Sequence, residues 1–148
     1  LKAGRPCILG GVHIESDLGP DGHSDADVLI HALMDAMLGA AGLRDIGYYF
    51  PPEDDQYKGI SSMLLLEKVN FLLKERGLQA YNIDIMVISE TPKLKPHIDM
   101  MKANLQSILE IPLDRISIKA TTNEMLGAIG RREGIAAQAV VSVYEGEV

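Results

Sequence analysis

The stretch from Ser24 to Gly42 constrains the fold most. Val28, Leu29, Ala32, Leu33, Ala36 and Met37 recur there at helical spacing, and Gly42 closes the pattern. An apolar stripe of that kind has to be covered by another layer of the same chain. A second helix is predicted over Ser61 to Arg76, with Leu65, Leu66, Val69, Leu72 and Leu73 on one stripe and Gly77 as its C-cap. A third runs from Pro96 to Leu109, with Pro96 tolerated in the first turn. The covering layer comes from β-branched segments. Cys7 to Ile14 reads as a strand with a bulge at Gly10 and Gly11, Tyr81 to Ser89 as a strand with Asp84 turned outward, and Arg115 to Ala120 and Ile135 to Tyr144 as two more. Glu15 to Gly22 reads as a loop, and Arg44 to Gly59, with Pro51 and Pro52, as a long irregular connection of the sort that usually carries function or disorder. The order β-α-α-β-α-β-β predicts an α+β chain: an α/β sandwich with one mixed β-sheet whose helices pack on one face.

At 148 residues and 47% apolar, the chain suits a single domain over 1–148. The 14 Lys and Arg stand against 21 Asp and Glu, for a net charge of −7. That balance opposes a nucleic-acid surface, which needs clustered cations to replace phosphate counterions. With no Trp, two Phe and five Tyr, an aromatic stacking platform is excluded as well. Cys7 is the only cysteine, so neither an internal disulfide nor a thiolate zinc cluster can form. The longest apolar run, Ala36 to Leu43, is far short of the roughly 20 residues that span a bilayer. No membrane association is expected. The sequence starts at Leu1 rather than Met.

Three segments carry candidate chemistry. In His23 to Asp35, Ser24 and Asp27 have capping-box spacing, so Ser24 is expected to cap the helix and leave an anion-binding N-terminus behind it. Asp27, His31 and Asp35 follow at i, i+4 and i+8 and share a face. A metal-bound His commonly gives its other ring nitrogen to a carboxylate, and either Asp could take that part. A satisfied core histidine fits the spacing equally. In Lys119 to Glu133, a strand runs into Thr121, Thr122 and Glu124 ahead of Gly127, Gly130, Arg131 and Arg132. Hydroxyls and a lone carboxylate past a strand end suit magnesium shared with phosphate oxygens, and equally a turn with a capping threonine. Ser89 to His97 is a proline-rich strand exit that could frame a flat ligand through main-chain groups, or simply lead into a helix.

Taken together, GG-x-x-I at the first strand, HSDADVLIHALMDAMLGAAGLRDIG, FP with a downstream KG-x-SS, P-K-x-x-P-H-I, KATTNEMLG and GRREGIA resemble the 2-C-methyl-D-erythritol 2,4-cyclodiphosphate synthase family over nearly the whole chain. The resemblance implies conversion of a cytidine diphosphate ester bearing a 2-phosphate into a cyclic diphosphate, with release of CMP, in non-mevalonate isoprenoid biosynthesis. It implies a homotrimer of α/β sandwiches with active sites between subunits. His31 would be a zinc ligand, and Glu124 would hold magnesium or manganese between the phosphates. His23 and Ser24 would position the diphosphate and methylerythritol portion, with His23 and Thr122 as catalytic residues and Thr122 on a phosphate. Asp45 and Gly47 would meet the ribose, and Ile46, Phe50, Lys58 and Leu65 would surround the substrate loop. The neighbouring subunit would bring the cytosine pocket from Thr91, Pro92, Lys93 and Leu94, with Ala120 and Thr121 adjacent. Arg131 completes the substrate-binding set, beside Glu133 at any cavity on the trimer axis. A bacterial member would be cytoplasmic and a eukaryotic one plastid-borne.

The sequence departs from the family pattern in three places. The family's zinc site also uses an Asp-x-His pair from an N-terminal strand, and that pair is absent, so the expectation is a chain lacking that strand and inactive as written. Pro52 stands where many members carry an acid, and Ala128 where an aromatic often lies beside the axis. The competing classes are a non-catalytic nucleotide-binding trimer and a purely structural subunit.

Overall fold

Gly10 and Gly11 turn the chain back on itself instead of bulging one strand. Both have positive φ, 58° and 73°, which a two-residue hairpin turn of the primed type requires. A computed structural model describes residues 1–146. In it the expected single strand is a hairpin of β2 (Cys7–Leu9) and β3 (Val12–Ile14), paired Cys7 to Ile14. A second small ribbon joins β1 (Lys2–Ala3) to β4 (Leu18–Gly19), the latter inside the stretch expected to be a loop.

The first long helix, α1, is Val28–Ala40, and Asp27 rather than Ser24 is its N-cap: the Asp27 carboxylate accepts from the Ile30 amide. Ser24 lies outside the helix, where its hydroxyl oxygen accepts the Ala26 amide and does not cap α1. The Arg44 to Gly59 connection is partly regular, with a one-turn helix α2 (Ile46–Tyr49) capped by Asp45 and a 3₁₀ turn Asp55–Tyr57 capped by Asp54. Helix α3 (Ser62–Glu75) then leads into the central strand β5 (Leu78–Ile88). A 3₁₀ turn Lys95–His97 opens α4 (Ile98–Leu109), followed by β6 (Ile116–Thr121), the short α5 (Gly127–Gly130) and β7 (Ala136–Glu145).

The strands do not form one sheet. The two ribbons stand apart from a three-stranded sheet ordered β6-β5-β7. That sheet is mixed, as expected: β5 runs parallel to β6 and antiparallel to β7, with an irregularity between Ala80 and Asn82. A parallel pair needs a crossover element, and α4 is that element. Alternation decides the faces. Ile83, Ile85, Val87, Ile116 and Ile118 are buried on the side where α1, α3 and α4 lie, against Leu29, Leu33, Met37, Leu66, Val69, Leu73, Met101 and Leu105. The opposite side presents Asp84, Ser117, Lys119, Gln138, Ser142 and a Val140 that is 72% exposed. The α+β class and the one-sided helices therefore stand.

Candidate functional site

The polar residues near the start of α1 are tied to two loops. Asp27, fully buried, accepts the amides of Gly10 and Gly11 at 3.0 and 2.8 Å as well as that of Ile30 at 3.1 Å. One carboxylate thus staples the hairpin turn to the helix end. Burial pushes its pKa up to about 6, against the lowering effect of the three amides and with a further upward push from Asp25. Of the amides in the first turn of α1, that of Ile30 is taken by Asp27, so the helix end is capped by a buried carboxylate and not by the Ser24 hydroxyl.

Residues His23 to Asp25 are strung along the following loop. Gly59 donates its amide to the His23 carbonyl, and the Asp25 amide donates to the Ile60 carbonyl. His23 Nε2 lies 3.3 Å from the Asp54 carbonyl. Asp25 accepts both the amide and the hydroxyl of Ser62. His31, one turn into α1, has Nε2 at 3.0 Å from Ser62 Oγ and 3.2 Å from Ser24 Oγ. Neither Asp27 nor Asp35 bonds the imidazole. Asp27 is turned to the hairpin, and Asp35 accepts the Ile46 amide. Burial lowers the His31 pKa, and Asp25 and Asp35 only partly offset this, so the ring is neutral at physiological pH.

His23, Ser24 and His31 line a cavity of about 440 Å³, within the range of small-ligand sites. Of the residues expected at a site, His23, Ser24, His31, Ile46, Gly47, Phe50 and Leu65 line it, joined by Pro20, Gly22, Tyr57 and Ile135, which sequence reasoning did not single out. Asp45 caps α2 beside it and accepts the Tyr48 amide, and Lys58 is exposed at the end of the Asp55–Tyr57 turn.

The remaining expected residues gather elsewhere, at the ends of β5 and β6. Thr91, Pro92, Lys93 and Leu94 leave β5, while Ala120 and Thr121 end β6, and the Ser89 amide donates to the Thr121 carbonyl. Leu94 is only 3% exposed, so its side chain is core, and any pocket role falls to its main chain. Glu124 and Met125 have positive φ, 53° and 63°, in a turn where Thr122 Oγ1 accepts the Glu124 amide. Both the capping reading of Thr122 and an outward Glu124 thus fit. Glu90 holds this turn: its two carboxylate oxygens accept the Asn123 amide at 2.6 Å and the Met125 amide at 3.0 Å. Sequence reasoning missed Glu90, whose only signal was its place in the strand exit Ser89 to His97. Arg131 is exposed and pairs with Glu133.

Metal donors are few. Among the described residues no three of His, Cys, Asp or Glu come together to hold an ion. His31 gives one donor with a lowered pKa, and Glu124 one exposed carboxylate. The residues present therefore do not by themselves fit a zinc ion, which takes three or four donors.

Known proteins bear on this geometry. The YgbB family model matches residues 1–144. The 2-C-methyl-D-erythritol 2,4-cyclodiphosphate synthase of Synechococcus elongatus is 59% identical over 140 residues, 95% of this chain and 88% of that one. Its counterpart from Halothermothrix orenii is 56% identical over 145 residues, 98% of this chain and 88% of the other. Among solved structures, the bifunctional IspDF of Campylobacter jejuni superposes with a TM-score of 0.94 at 43% identity, over 99% of this chain and 40% of that longer one. A 2C-methyl-D-erythritol-2,4-cyclodiphosphate synthase in its CDP-bound form superposes at 0.88 with 36% identity, covering 97% of this chain and 93% of that one.

Proposed function

The chain belongs to the YgbB family, and from that membership we propose the residues, metals and assembly through which it works. It catalyses the cyclisation step of the non-mevalonate isoprenoid pathway, converting 4-diphosphocytidyl-2-C-methyl-D-erythritol 2-phosphate to 2-C-methyl-D-erythritol 2,4-cyclodiphosphate with release of CMP. It is a phosphorus–oxygen lyase. An oxygen of the 2-phosphate attacks the β-phosphorus, and the bond from that phosphorus to the CMP oxygen breaks. No protein nucleophile takes part. What the chain contributes is placement, which makes the attack effectively unimolecular.

The observation that carries the residue assignment is that His23, Ser24 and His31 converge on one cavity walled by Ile46, Gly47, Phe50 and Leu65. His23 and Ser24 position the diphosphate and the methylerythritol portion there. Asp45 and Gly47 face the ribose, and Lys58 supplies a cation at the rim. Thr91, Pro92, Lys93 and Leu94 frame cytosine, in keeping with the CDP-bound relative. Thr122, with Ala120 and Thr121 beside it, holds a phosphate, and Arg131 completes the substrate-binding set.

Members of the family are metal-dependent. Zinc on His31 and magnesium or manganese on Glu124 is our assignment, and bound ions there would offset the charge crowded between two phosphates. Among the described residues His31 is a lone donor for that zinc. The strand-end residues do not line the cavity, and this supports a homotrimer in which one subunit's cavity meets its neighbour's β5 and β6 ends. Among the described residues no helix is long and apolar enough to cross a membrane, and the curated relatives above are bacterial, which supports a cytoplasmic setting.

The direct test is CMP release from the cytidine diphosphate substrate by full-length, metal-replete protein. Absence of CMP would overturn the activity. His31→Ala is expected to abolish turnover with the oligomer intact, and near-normal turnover would refute its role. Glu124→Gln is expected to weaken magnesium-dependent CDP binding, and unchanged affinity would refute that assignment.

A further inference from the structure

We infer that Asp25 and Ser62 act together as a positioning pair that dictates which ring nitrogen of His31 carries the proton, holding Nε2 as the N–H and leaving Nδ1 as the ring's only lone pair. The argument is one of hydrogen counting. A carboxylate has nothing to donate, and every bond onto Asp25 comes from a donor: the Ser62 amide at 2.9 Å, the Ser62 hydroxyl, and the Asp27 amide at 3.1 Å. The one hydroxyl hydrogen of Ser62 is thereby committed to Asp25. Its oxygen, 3.0 Å from His31 Nε2, can then only accept. A bare Nε2 at that distance would set two lone pairs against each other, whereas an Nε2–H makes a hydrogen bond of ordinary length.

The surroundings reinforce this. Ser62 is completely buried at the first position of α3, so no water competes for its oxygen. Ser24 Oγ, 3.2 Å from the same nitrogen, accepts the Ala26 amide and keeps its own hydroxyl hydrogen free, so it can serve either ring state and the choice falls to Ser62. Nδ1 has no partner of this kind among the described residues. Orientation of an imidazole by a hydrogen bond on its far nitrogen is how proteins prepare that ring to act as a ligand or acceptor. Here a serine at the start of α3 carries the effect of the loop carboxylate to a histidine on α1. That Nδ1 is used for the cyclisation rests on the proposed function, but the proton position does not.

The test is nitrogen-15 NMR of the full chain labelled at histidine, recorded well above the lowered pKa of the ring, with His31 assigned by the signals lost in His31→Gln. The expected wild-type result is a widely split pair of ring nitrogens, with Nε2 protonated and its proton visible through slow exchange with water. Ser62→Ala should abolish that visible proton. Asp25→Ala should free the serine hydroxyl to donate to the ring, so that an Nδ1–H population grows in. A wild-type ring protonated at Nδ1, or an unchanged Nε2 proton in whichever of the two variants folds, would overturn the inference. A protein that passes this test yet releases no CMP would refute the activity alone, so the two failures are distinguishable.

Discussion

Asp27 shows how far a single residue can be pulled from its ordinary behaviour. Its carboxylate is wholly buried, and its pKa of about 6 lies above the usual 3.8 because burial outweighs the three amides that bond it. The sign follows from linkage. With the folded value above the unfolded one, the native state binds the proton more tightly between about pH 4 and 6. The contribution of Asp27 to stability is therefore full below pH 4 and is lost as pH rises through 6. The distance between 3.8 and about 6 is worth about 3 kcal/mol. Denaturant unfolding across this range should show wild-type stability falling toward pH 7 and Asp27→Asn showing a visibly flatter profile; parallel profiles would refute the buried charge. Asp27→Ala, by contrast, strands the Gly10 and Gly11 amides and removes the helix cap; it should cost about 3 kcal/mol at pH 4, and less as pH rises through 6, where the wild type alone loses stability. At this scale the sequence was half legible. The spacing of Ser24 and Asp27 announced a helix start, but which residue caps it was decided by the hairpin turn some sixteen residues back, which no local pattern reports. Glu90 was illegible for the same reason, since its partners Asn123 and Met125 lie more than thirty residues on. Glu90→Ala is expected to loosen the turn that presents Thr122 and Glu124 and to weaken CDP binding about tenfold by calorimetry, with melting nearly unchanged. Wild-type affinity would show that the clamp plays no part.

Among elements, those with a repeating period were read correctly and those made by turns were not. The stripes on α1, α3 and α4 and the alternation in β5, β6 and β7 placed each within a few residues of its observed ends. The β2–β3 hairpin was read as one strand because Gly-Gly serves a bulge and a primed turn alike, and the turn was settled by the close approach of Met101. A Cβ on Gly10 would lie 2.6 Å from the Cγ of that buried side chain, on a backbone with φ of 58°. Gly10→Ala should therefore destabilise by roughly 1–3 kcal/mol, measurable by urea unfolding, and a neutral result would mean that the turn and α4 readily move apart. Gly130 in α5 has a different consequence. A Cβ there would come 2.1 Å from the Met125 carbonyl carbon, which is backbone and cannot swing aside. Gly130→Ala is expected to displace the Asn123–Met125 turn and lower CDP affinity by at least about tenfold, since small displacements of positioning groups are costly. Stability should change far less than affinity, and the reverse pattern would refute a positioning role for α5.

For the molecule as a whole, the question is why one chain carries its site residues in two groups. The cavity holds His23, Ser24 and His31, while Thr122, Glu124 and the Thr91–Leu94 segment sit at the β5 and β6 ends and line no part of it. The sheet face away from the helices carries Val140 and the Lys119–Asp84 pair, each part-exposed, where a neighbour could pack. No pattern in a single chain distinguishes such a face from an ordinary solvent face, so the expectation of a homotrimer rests on family resemblance and not on periodicity. If each working site joins one subunit's cavity to the next subunit's strand ends, two dead variants should rescue each other. His31→Ala spoils every cavity and Thr122→Ala every strand end, so neither homotrimer should turn over. Unfolded together in equal amounts and refolded, each interface has one chance in two of drawing its intact cavity from the Thr122 variant and one in two of drawing its intact strand end from the His31 variant. Mixed trimers should then recover about a quarter of wild-type CMP release. Light scattering must show that both variants and the mixture are trimeric. A trimeric mixture that stays inactive would place both groups of one working site within a single subunit, and activity in either variant alone would remove that residue from the reaction.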